Sequence, residues 1–240
     1  MKISTILIAA LTLALSTAAF AYPSLSGPTG GTNQPNAMVP AVDTGQFAAD
    51  YSVRNHDNEL IVRGVLGIAT NFEVGAAGYI NTSSGGGNNN AFGLNAKYVL
   101  ADLNLQPTDK VAVGINYQKA SGSFDSTSIY AVGSRQFKMM EESQPAIVGS
   151  VGLDYDHASN TTLRPFVGVD VVFRDGLTIN GELKAKGSDD AAAMYALTAR
   201  YPINSTWTAQ FGITNSWLGN FGGNDGGVTI GAAYNFDKKK

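Results

Sequence analysis

The sequence predicts an all-β protein, an antiparallel transmembrane β-barrel of about twelve strands. From residue 45 onward, apolar and polar residues alternate in segments of about ten residues, separated by clusters of Gly, Asn, Asp, Ser and Pro. Aromatic residues gather near the ends of these segments, and short connections alternate with longer ones. After residue 21, no apolar run approaches the roughly 18 residues that a transmembrane helix needs.

Composition narrows the class of protein further. The chain has 240 residues, with 16 Lys plus Arg, 19 Asp plus Glu, 28 Gly and no Cys. These totals exclude collagen-like, coiled-coil and disulfide-stapled chains. A mean hydropathy near zero fits a soluble sheet protein or a barrel wall that averages two faces. Without Lys2 the net charge is −4, from 15 basic and 19 acidic residues, so we expect no nucleic-acid partner.

The first 44 residues precede the strands. Lys2 is followed by an apolar run from Ile6 to Leu15, and residues 19–21 (AFA) form a signal-peptidase site, so we predict that a signal peptide, residues 1–21, is removed. Residues 22–44 hold four of the eight prolines and show no apolar periodicity. They predict a periplasmic lead-in or a plug of the lumen. Residues 45–236 form the predicted barrel and 237–240 a basic tail.

Each predicted strand carries apolar residues at every second position. In the eighth strand, for example, Leu163, Val167 and Val171 oppose Arg164 and Asp170. The predicted strands cover 45–54, 59–69, 72–81, a stretch from 91, 110–119, 126–137, 146–156, 163–173, 177–186, 192–201, a stretch around 207–213, and 227–236.

The connections and irregular positions complete the predicted wall. Residues 82–90 and 215–226 predict long loops, whereas 70–71, 174–176 and 202–205 predict short turns. A change of parity at Leu100–Ala101 predicts a bulge, and Arg135 shares parity with Phe137 in the sixth strand. Aromatic residues at the strand ends predict interfacial girdles. They are Tyr98, Tyr117, Tyr155, Phe173, Tyr201, Trp207, Tyr234 and Phe236.

The last strand carries a more specific signal. Thr229, Gly231, Tyr234 and Phe236 have the spacing polar, any, glycine, two residues, aromatic, any, aromatic. This pattern resembles the terminal-strand signal of Gram-negative outer-membrane barrels, although four residues follow the final aromatic. The resemblance implies an outer-membrane location, recognition by the barrel-assembly machinery, and contact with outer-membrane lipid and lipopolysaccharide.

The lead-in carries a second resemblance. Residues 26–30 (SGPTG) and 35–37 (PNA), followed by the first strand, resemble the opening of a group of Gram-negative surface barrels. Some members of that group accompany exopolysaccharide export. The resemblance therefore implies a role in support of surface-polymer export.

Charged residues share the face opposite the apolar one. Buried charges are costly unless they are paired or hydrated, so a nearly balanced set predicts either ion pairs or a water-filled pore. The second alternative predicts a porin-like passive channel for small hydrophilic solutes. The predicted lumen-lining charges are Asp50, Arg54, Arg63, Glu73, Lys97, Asp154, Arg164, Asp170, Glu182, Lys184 and Arg200.

Two further functions are alternatives. His157 and Ser159 resemble the His-x-Ser pair of outer-membrane lipid hydrolases, in which Ser is the nucleophile and His its base. The residue that orients the His in that group has no counterpart, because position 171 is Val. We therefore expect a protein that is not an enzyme, and a structural or adhesive surface barrel is the other alternative. No cofactor is expected, and no metal site, since there is no Cys and His56 lies far from His157 in sequence.

Overall fold

The computed structural model describes residues 22–28, 30–54, 58–82, 90–100, 109–121, 124–138, 145–188, 192–217 and 221–237. Within these ranges, no helix is long and apolar enough to cross a bilayer. The strands are β1 (Thr44–Val53), β2 (Asn58–Ala69), β3 (Phe72–Asn81), β4 (Ala91–Val99), β5 (Asp109–Ala120), β6 (Phe124–Lys138), β7 (Ala146–His157), β8 (Thr161–Val172), β9 (Thr178–Lys184), β10 (Met194–Pro202), β11 (Trp207–Trp217) and β12 (Phe221–Asp237).

These strands form a closed barrel. Each pairs antiparallel with the next in sequence, and β1 pairs with β12 from Thr44–Asp237 to Val53–Val228. Closure leaves no exposed edge, which satisfies the backbone hydrogen bonds of every strand. The predicted fold class is confirmed. We call the end at which β1 begins and β12 ends the terminal end, and the other the opposite end.

The alternation of residue types separates an apolar outer face from a polar inner face. On β8, Leu163, Val167 and Val169 are exposed, whereas Arg164 and Asp170 are buried. Because successive side chains of a strand point to opposite faces, the same alternation runs around the whole wall. The near-zero mean hydropathy is therefore an average over two unlike faces.

Outer aromatic residues pack in pairs near both ends of the barrel. Phe47 stacks on Phe236 at 5.0 Å between ring centroids, and Trp207 meets Tyr234 edge to face at 5.2 Å, both near the terminal end. Phe92 meets Tyr117 at 6.1 Å near the opposite end. This arrangement is typical of interfacial girdles.

The prediction of a long loop over residues 215–226 is wrong. β11 continues to Trp217 and β12 begins at Phe221, with a register shift between Thr214 and Ser216. The side chain of Asn215 donates hydrogen bonds to the carbonyl oxygens of Ala193 and Gly223, at 2.8 and 3.0 Å. The glycine-rich sequence carries no alternation, but pairing with β11 makes it a strand.

Several predictions lie outside the described residues. They concern the signal peptide (1–21), His56, residues 83–89 of the predicted loop, Ala101 of the predicted bulge, and residues 238–240 of the tail. β4 ends at Val99, before the predicted bulge at Leu100–Ala101. The register shifts in the described part of the chain lie elsewhere. They occur between Gly67 and Ala69, Gln136 and Lys138, and Thr214 and Ser216.

Residues 22–28 and 30–43, the inner segment, lie inside the barrel. The segment leaves the wall at the terminal end, where Val42 forms a bridge with Gly67 and Asp43 turns with a φ of 63°. From there it extends toward the opposite end, and a second bridge, Gly30 to Pro35, turns it back. Most of its residues are buried.

Candidate functional site in the barrel lumen

The structure buries every charged side chain that the sequence predicted to line the lumen. The side chain of Arg54 is 8% exposed, and the other ten residues are buried. These residues come from eight strands and the end of β1 and converge on the interior because each occupies an inward position of its strand. They are Asp50, Arg54, Arg63, Glu73, Lys97, Asp154, Arg164, Asp170, Glu182, Lys184 and Arg200.

Ion pairs across neighbouring strands join most of these charges. Lys97 lies directly opposite Glu73 in the β3–β4 ladder, and its Nζ is 3.1 Å from Glu73 Oε1. Arg63 Nη2 lies 2.7 Å from Asp50 Oδ2, between β2 and β1. All four side chains are fully enclosed. Because an unpaired charge would be costly there, it matters that each has an opposite charge within contact distance.

A larger network occupies the wall at β7, β8 and β9. Arg164 Nη2 lies 3.1 Å from Asp154 Oδ2 and 2.9 Å from Asp156 Oδ2. Lys184 Nζ lies 2.5 Å from Asp154 Oδ2, and Ser126 donates a 2.6 Å hydrogen bond to Asp156. Two cations and two carboxylates thus form one balanced group.

Sequence reasoning missed two buried carboxylates. Asp156 belongs to the network just described, and Glu59 pairs with Arg54 at 3.4 Å. A signal was available, because both residues have the parity of inward charges already recognised on their strands, Asp154 and Arg63.

The polar turn of the inner segment, Gly30 to Asn36, hydrogen-bonds to charged groups of the wall. Arg200 Nη1 donates to the carbonyl oxygen of Gly30 at 3.2 Å, and Lys97 Nζ donates to that of Asn36 at 3.1 Å. Glu182 Oε2 accepts from the backbone N–H groups of residues 33 and 34, at 2.7 and 3.3 Å. Wall charges therefore satisfy the backbone of a segment that has little secondary structure of its own.

Uncharged side chains of the wall complete the contacts of the polar turn. Asn180 Oδ1 accepts from the backbone and the hydroxyl of Thr32, both at 3.1 Å. The Thr32 hydroxyl also lies 2.5 Å from that of Thr198. Asn33 Nδ2 donates to the hydroxyl of Thr214 at 3.1 Å. Strands β9, β10 and β11 together hold this turn.

Apolar contacts anchor the segment on either side of the turn. Leu25 packs with Ile61 and Tyr79, and the Tyr79 hydroxyl donates to the carbonyl oxygen of Leu25 at 2.7 Å. Toward the terminal end, Ala37 packs with Tyr130 and Phe166. These apolar inner residues of the wall face the segment, an arrangement that alternation alone does not predict.

Tyr22 lies between two guanidinium groups. Its ring centroid is 4.1 Å from Arg200 Cζ and 5.2 Å from Arg63 Cζ. Cations over a ring face are attracted by its quadrupole, and more strongly where water is excluded. The same side chain packs against Ala48 and Ala233. The first described residue thus contacts β1, β2, β10 and β12.

Little space is left around the segment. A cavity of about 10 Å³ borders the polar turn and is lined by residues that include Asn180, Glu182 and Phe166. That volume holds about one water molecule. Beside the polar turn, the described residues therefore leave room for little more than one water molecule.

The hydrolase alternative gains no support from the geometry at His157. His157 lies opposite Thr161 where β7 meets β8, and its Nδ1 is 2.8 Å from the Thr161 hydroxyl. Ser159 is exposed in the turn between these strands. Within the described ranges, no group of three or more His, Cys, Asp or Glu side chains is arranged to hold a metal ion.

The residues of the terminal-strand pattern occupy both faces of β12. Thr229 is buried, and Gly231 faces Asp50, because a Cβ at that glycine would lie 2.1 Å from the Asp50 carboxylate. Tyr234 and Phe236 belong to the outer aromatic pairs. The pattern thus lies on the strand that closes the barrel.

Comparison with solved structures identifies the class of fold. The KdgM porin, solved in complex with disordered oligogalacturonate, superposes with a TM-score of 0.63 at 13% identity, over 80% of this chain and 99% of that chain. Omp33 of Acinetobacter baumannii gives 0.57 at 9% identity, over 80% and 98%. The NanC porin gives 0.57 at 12% identity, over 79% and 98%. The shared feature is the fold of outer-membrane porins.

Sequence comparison adds nothing to this likeness. No known protein family matches the chain, and no curated protein matches it significantly.

Proposed function

We propose that the protein is an outer-membrane channel of the porin type, through which small hydrophilic solutes pass. The observation that carries this proposal is a closed barrel with an apolar outer face and an inner face lined by charged and polar side chains. A lipid-facing wall with a polar interior is the arrangement of barrels that hold an aqueous path. The fold shared with the KdgM and NanC porins supports the same function.

The inner segment makes the described conformation a closed one. A solute needs a continuous path along the barrel axis, and residues 22–28 and 30–40 lie inside the lumen. Once the predicted signal peptide is removed, the segment is joined to β1 at one end only, and its contacts with the wall are chiefly side-chain hydrogen bonds and apolar packing. Conduction therefore requires that the segment leave the lumen while the wall stays paired.

Planar-bilayer recording tests the channel. The mature protein and a variant that lacks residues 22–40 are refolded, and each is checked for barrel formation by its heat-dependent migration in a gel. We expect stable conductance steps from the deletion variant and rare, brief openings from the complete protein. A deletion variant that migrates as a barrel and yields no steps would contradict the channel.

Support of surface-polymer export is a second candidate. It is favoured by the fact that the lumen encloses an irregular chain held through backbone groups, which is how a linear polymer would lie there. Both candidates predict conductance once the segment is deleted, because a lumen that passes a linear polymer also conducts ions. They differ in the complete protein, where only the channel predicts openings in the absence of a polymer.

For assembly, we propose that the barrel-assembly machinery reads β12 through Tyr234 and Phe236. Both rings face outward beside the β1–β12 seam, where a recognition factor reaches them before closure. Replacing both with Ala should reduce the folded outer-membrane fraction in cells and leave refolding in detergent unaffected.

A further inference from the structure

From Tyr22 to Val42 the inner segment has no charged side chain, whereas the wall around it is rich in charges. The sequence there holds no Asp, Glu, Lys or Arg. Its polar groups are hydroxyls, side-chain amides, backbone carbonyls and backbone N–H groups, each of which donates or accepts hydrogen bonds without a net charge. The lumen thus accommodates a chain that has no charged side chains and forms many hydrogen bonds with the wall.

The charges that meet the polar turn differ from the rest of the inner wall. Of the buried inner charges in the described residues, Asp170, Glu182 and Arg200 are those for which the structure gives no ion pair. Arg200 donates to the segment and Glu182 accepts from it, while Asp170 accepts from Asn180 at 3.0 Å. Lys97 also meets the turn, so two cations and two carboxylates surround it and this part of the lumen has no excess positive charge to attract an anion.

Polar groups beside the turn have hydrogen-bonding capacity to spare. Within the described part of the chain, the Tyr130 hydroxyl, Arg200 Nη2 and the Asn116 side-chain oxygen are buried without a hydrogen-bond partner. Buried polar groups ordinarily have partners, so these mark positions that a ligand with more hydroxyl groups would satisfy. Tyr130 and Phe166 also present ring surface beside the turn.

We propose that the polar turn occupies the binding site of the transported solute, and that this solute is an uncharged, linear, polyhydroxylated molecule of the oligosaccharide class. The proposal rests on the proposed channel function and adds a ligand class to it. Hydroxyl groups both donate and accept, so they replace the turn's carbonyls at Lys97 and Arg200 and its N–H groups at Glu182. The solute and the polar turn then compete for the same site, so the solute binds only when the turn has left it.

An engineered disulfide reports where the turn lies. The chain has no Cys, so Thr32→Cys with Thr198→Cys introduces a single pair, at positions whose hydroxyl oxygens are 2.5 Å apart. Thr162→Cys with Ser188→Cys is the matched control, because these hydroxyls are also 2.7 Å apart and form an exposed contact between β8 and the chain after β9. The measurement is the rate of disulfide formation in the refolded, complete protein.

Maltohexaose is the neutral probe and hexagalacturonate the acidic one. A ligand at twice its Kd reduces the fraction of protein with the turn in place, and hence the crosslinking rate at 32–198, about threefold. We expect this slowing with maltohexaose, a much smaller effect with hexagalacturonate, and no effect of either on the 162–188 pair. Equal or stronger slowing by hexagalacturonate would overturn the ligand class, and no slowing by maltohexaose would overturn the site.

A second variant tests the charge argument in the same assay. Asp170→Asn with Glu182→Gln removes both carboxylates and keeps an oxygen acceptor at each position. We expect hexagalacturonate to slow crosslinking in this background as much as maltohexaose does, and an unchanged preference would contradict the argument. If maltohexaose fails while the deletion variant conducts, the channel stands and the ligand proposal falls. If it competes and the deletion variant does not conduct, the site stands without transport.

Discussion

The wall and the inner segment are both enclosed, yet different forces hold them. Neighbouring wall strands are joined by continuous antiparallel ladders, including the seam from Thr44–Asp237 to Val53–Val228. The described part of the segment has two isolated bridges, at Gly30 and at Val42, and a few backbone hydrogen bonds of its own, and its contacts with the wall are mostly made by wall side chains. Because the ladders do not pass through the segment, the two regions should respond separately to substitution.

The largest expected effect is on the wall. Arg164→Gln removes the guanidinium that joins Asp154 and Asp156 and leaves two buried carboxylates with one remaining cation, Lys184. Breaking a buried pair in this way costs about 3–5 kcal/mol, which we expect as a loss of unfolding free energy in urea titrations in lipid vesicles. Arg135→Gln is the control, since Arg135 pairs with Asp109 on the exposed face and should leave the midpoint unchanged. Equal shifts in both variants would be evidence against a special role of the buried network.

The next effect should be confined to the segment. Leu25→Ala opens a cavity beside Ile61 and Tyr79 and should weaken docking of the segment by about 2–4 kcal/mol. Hydrogen exchange should accelerate at the backbone amides of residues 24–37 and stay constant in the β-ladders. Leu197→Ala, at an exposed outer position, should leave the amides of the segment protected. Faster exchange throughout the wall in Leu25→Ala would show that the two regions do not separate.

A smaller effect is expected from one methyl group. A Cβ at Gly31 would lie 1.5 Å from Glu182 Oε1, so Gly31→Ala must displace the carboxylate that accepts two backbone hydrogen bonds of the turn. We expect docking to weaken by about 2 kcal/mol, measured by the same exchange experiment. Gly181→Ala is the matched control, because a Cβ there meets no atom within 4 Å. The prediction fails if the two alanines have the same effect.

The smallest effect concerns the outer aromatic pair. A double-mutant cycle of Trp207→Leu and Tyr234→Leu should give a coupling free energy of about 0.5–1.5 kcal/mol in urea unfolding, as edge-to-face rings do. Exchange of the segment amides should not change in any member of the cycle. Faster exchange of the segment amides would show that the outer aromatic pair and the segment are energetically coupled, contrary to the expected separation of the two regions.

Alternation was sufficient to predict the wall, because one face of every strand must be apolar. Positions such as Leu163 and Val167 on the outside and Arg164 inside follow from parity alone. The stretch from Phe221 to Gly226 escaped the prediction, since glycine-rich residues show no alternation and pairing of this strand with β11 decides its structure. To predict which charges form ion pairs, such as Arg164 with Asp156, one must also know the register of neighbouring strands.

The position of the segment could not be predicted at all from periodicity. Residues 22–42 have no repeating pattern, and their partners lie on strands far away in sequence. The stacking of Tyr22 with Arg63 and Arg200 brings together three separate parts of the chain. Nor did the sequence indicate that apolar inner residues such as Tyr130 and Phe166 would find a partner in Ala37. Such contacts exist only once the barrel encloses them.

The β1–β12 seam also determines when the molecule can finish folding. Thr44 and Asp237 stand near the two ends of the chain, so their pairing is the most non-local contact of the wall, and loop-closure entropy makes such contacts late and slow. The barrel therefore cannot close until its final strand has been synthesised. Since the inner segment runs directly into β1, closure of this seam also fixes the point at which the segment enters the lumen.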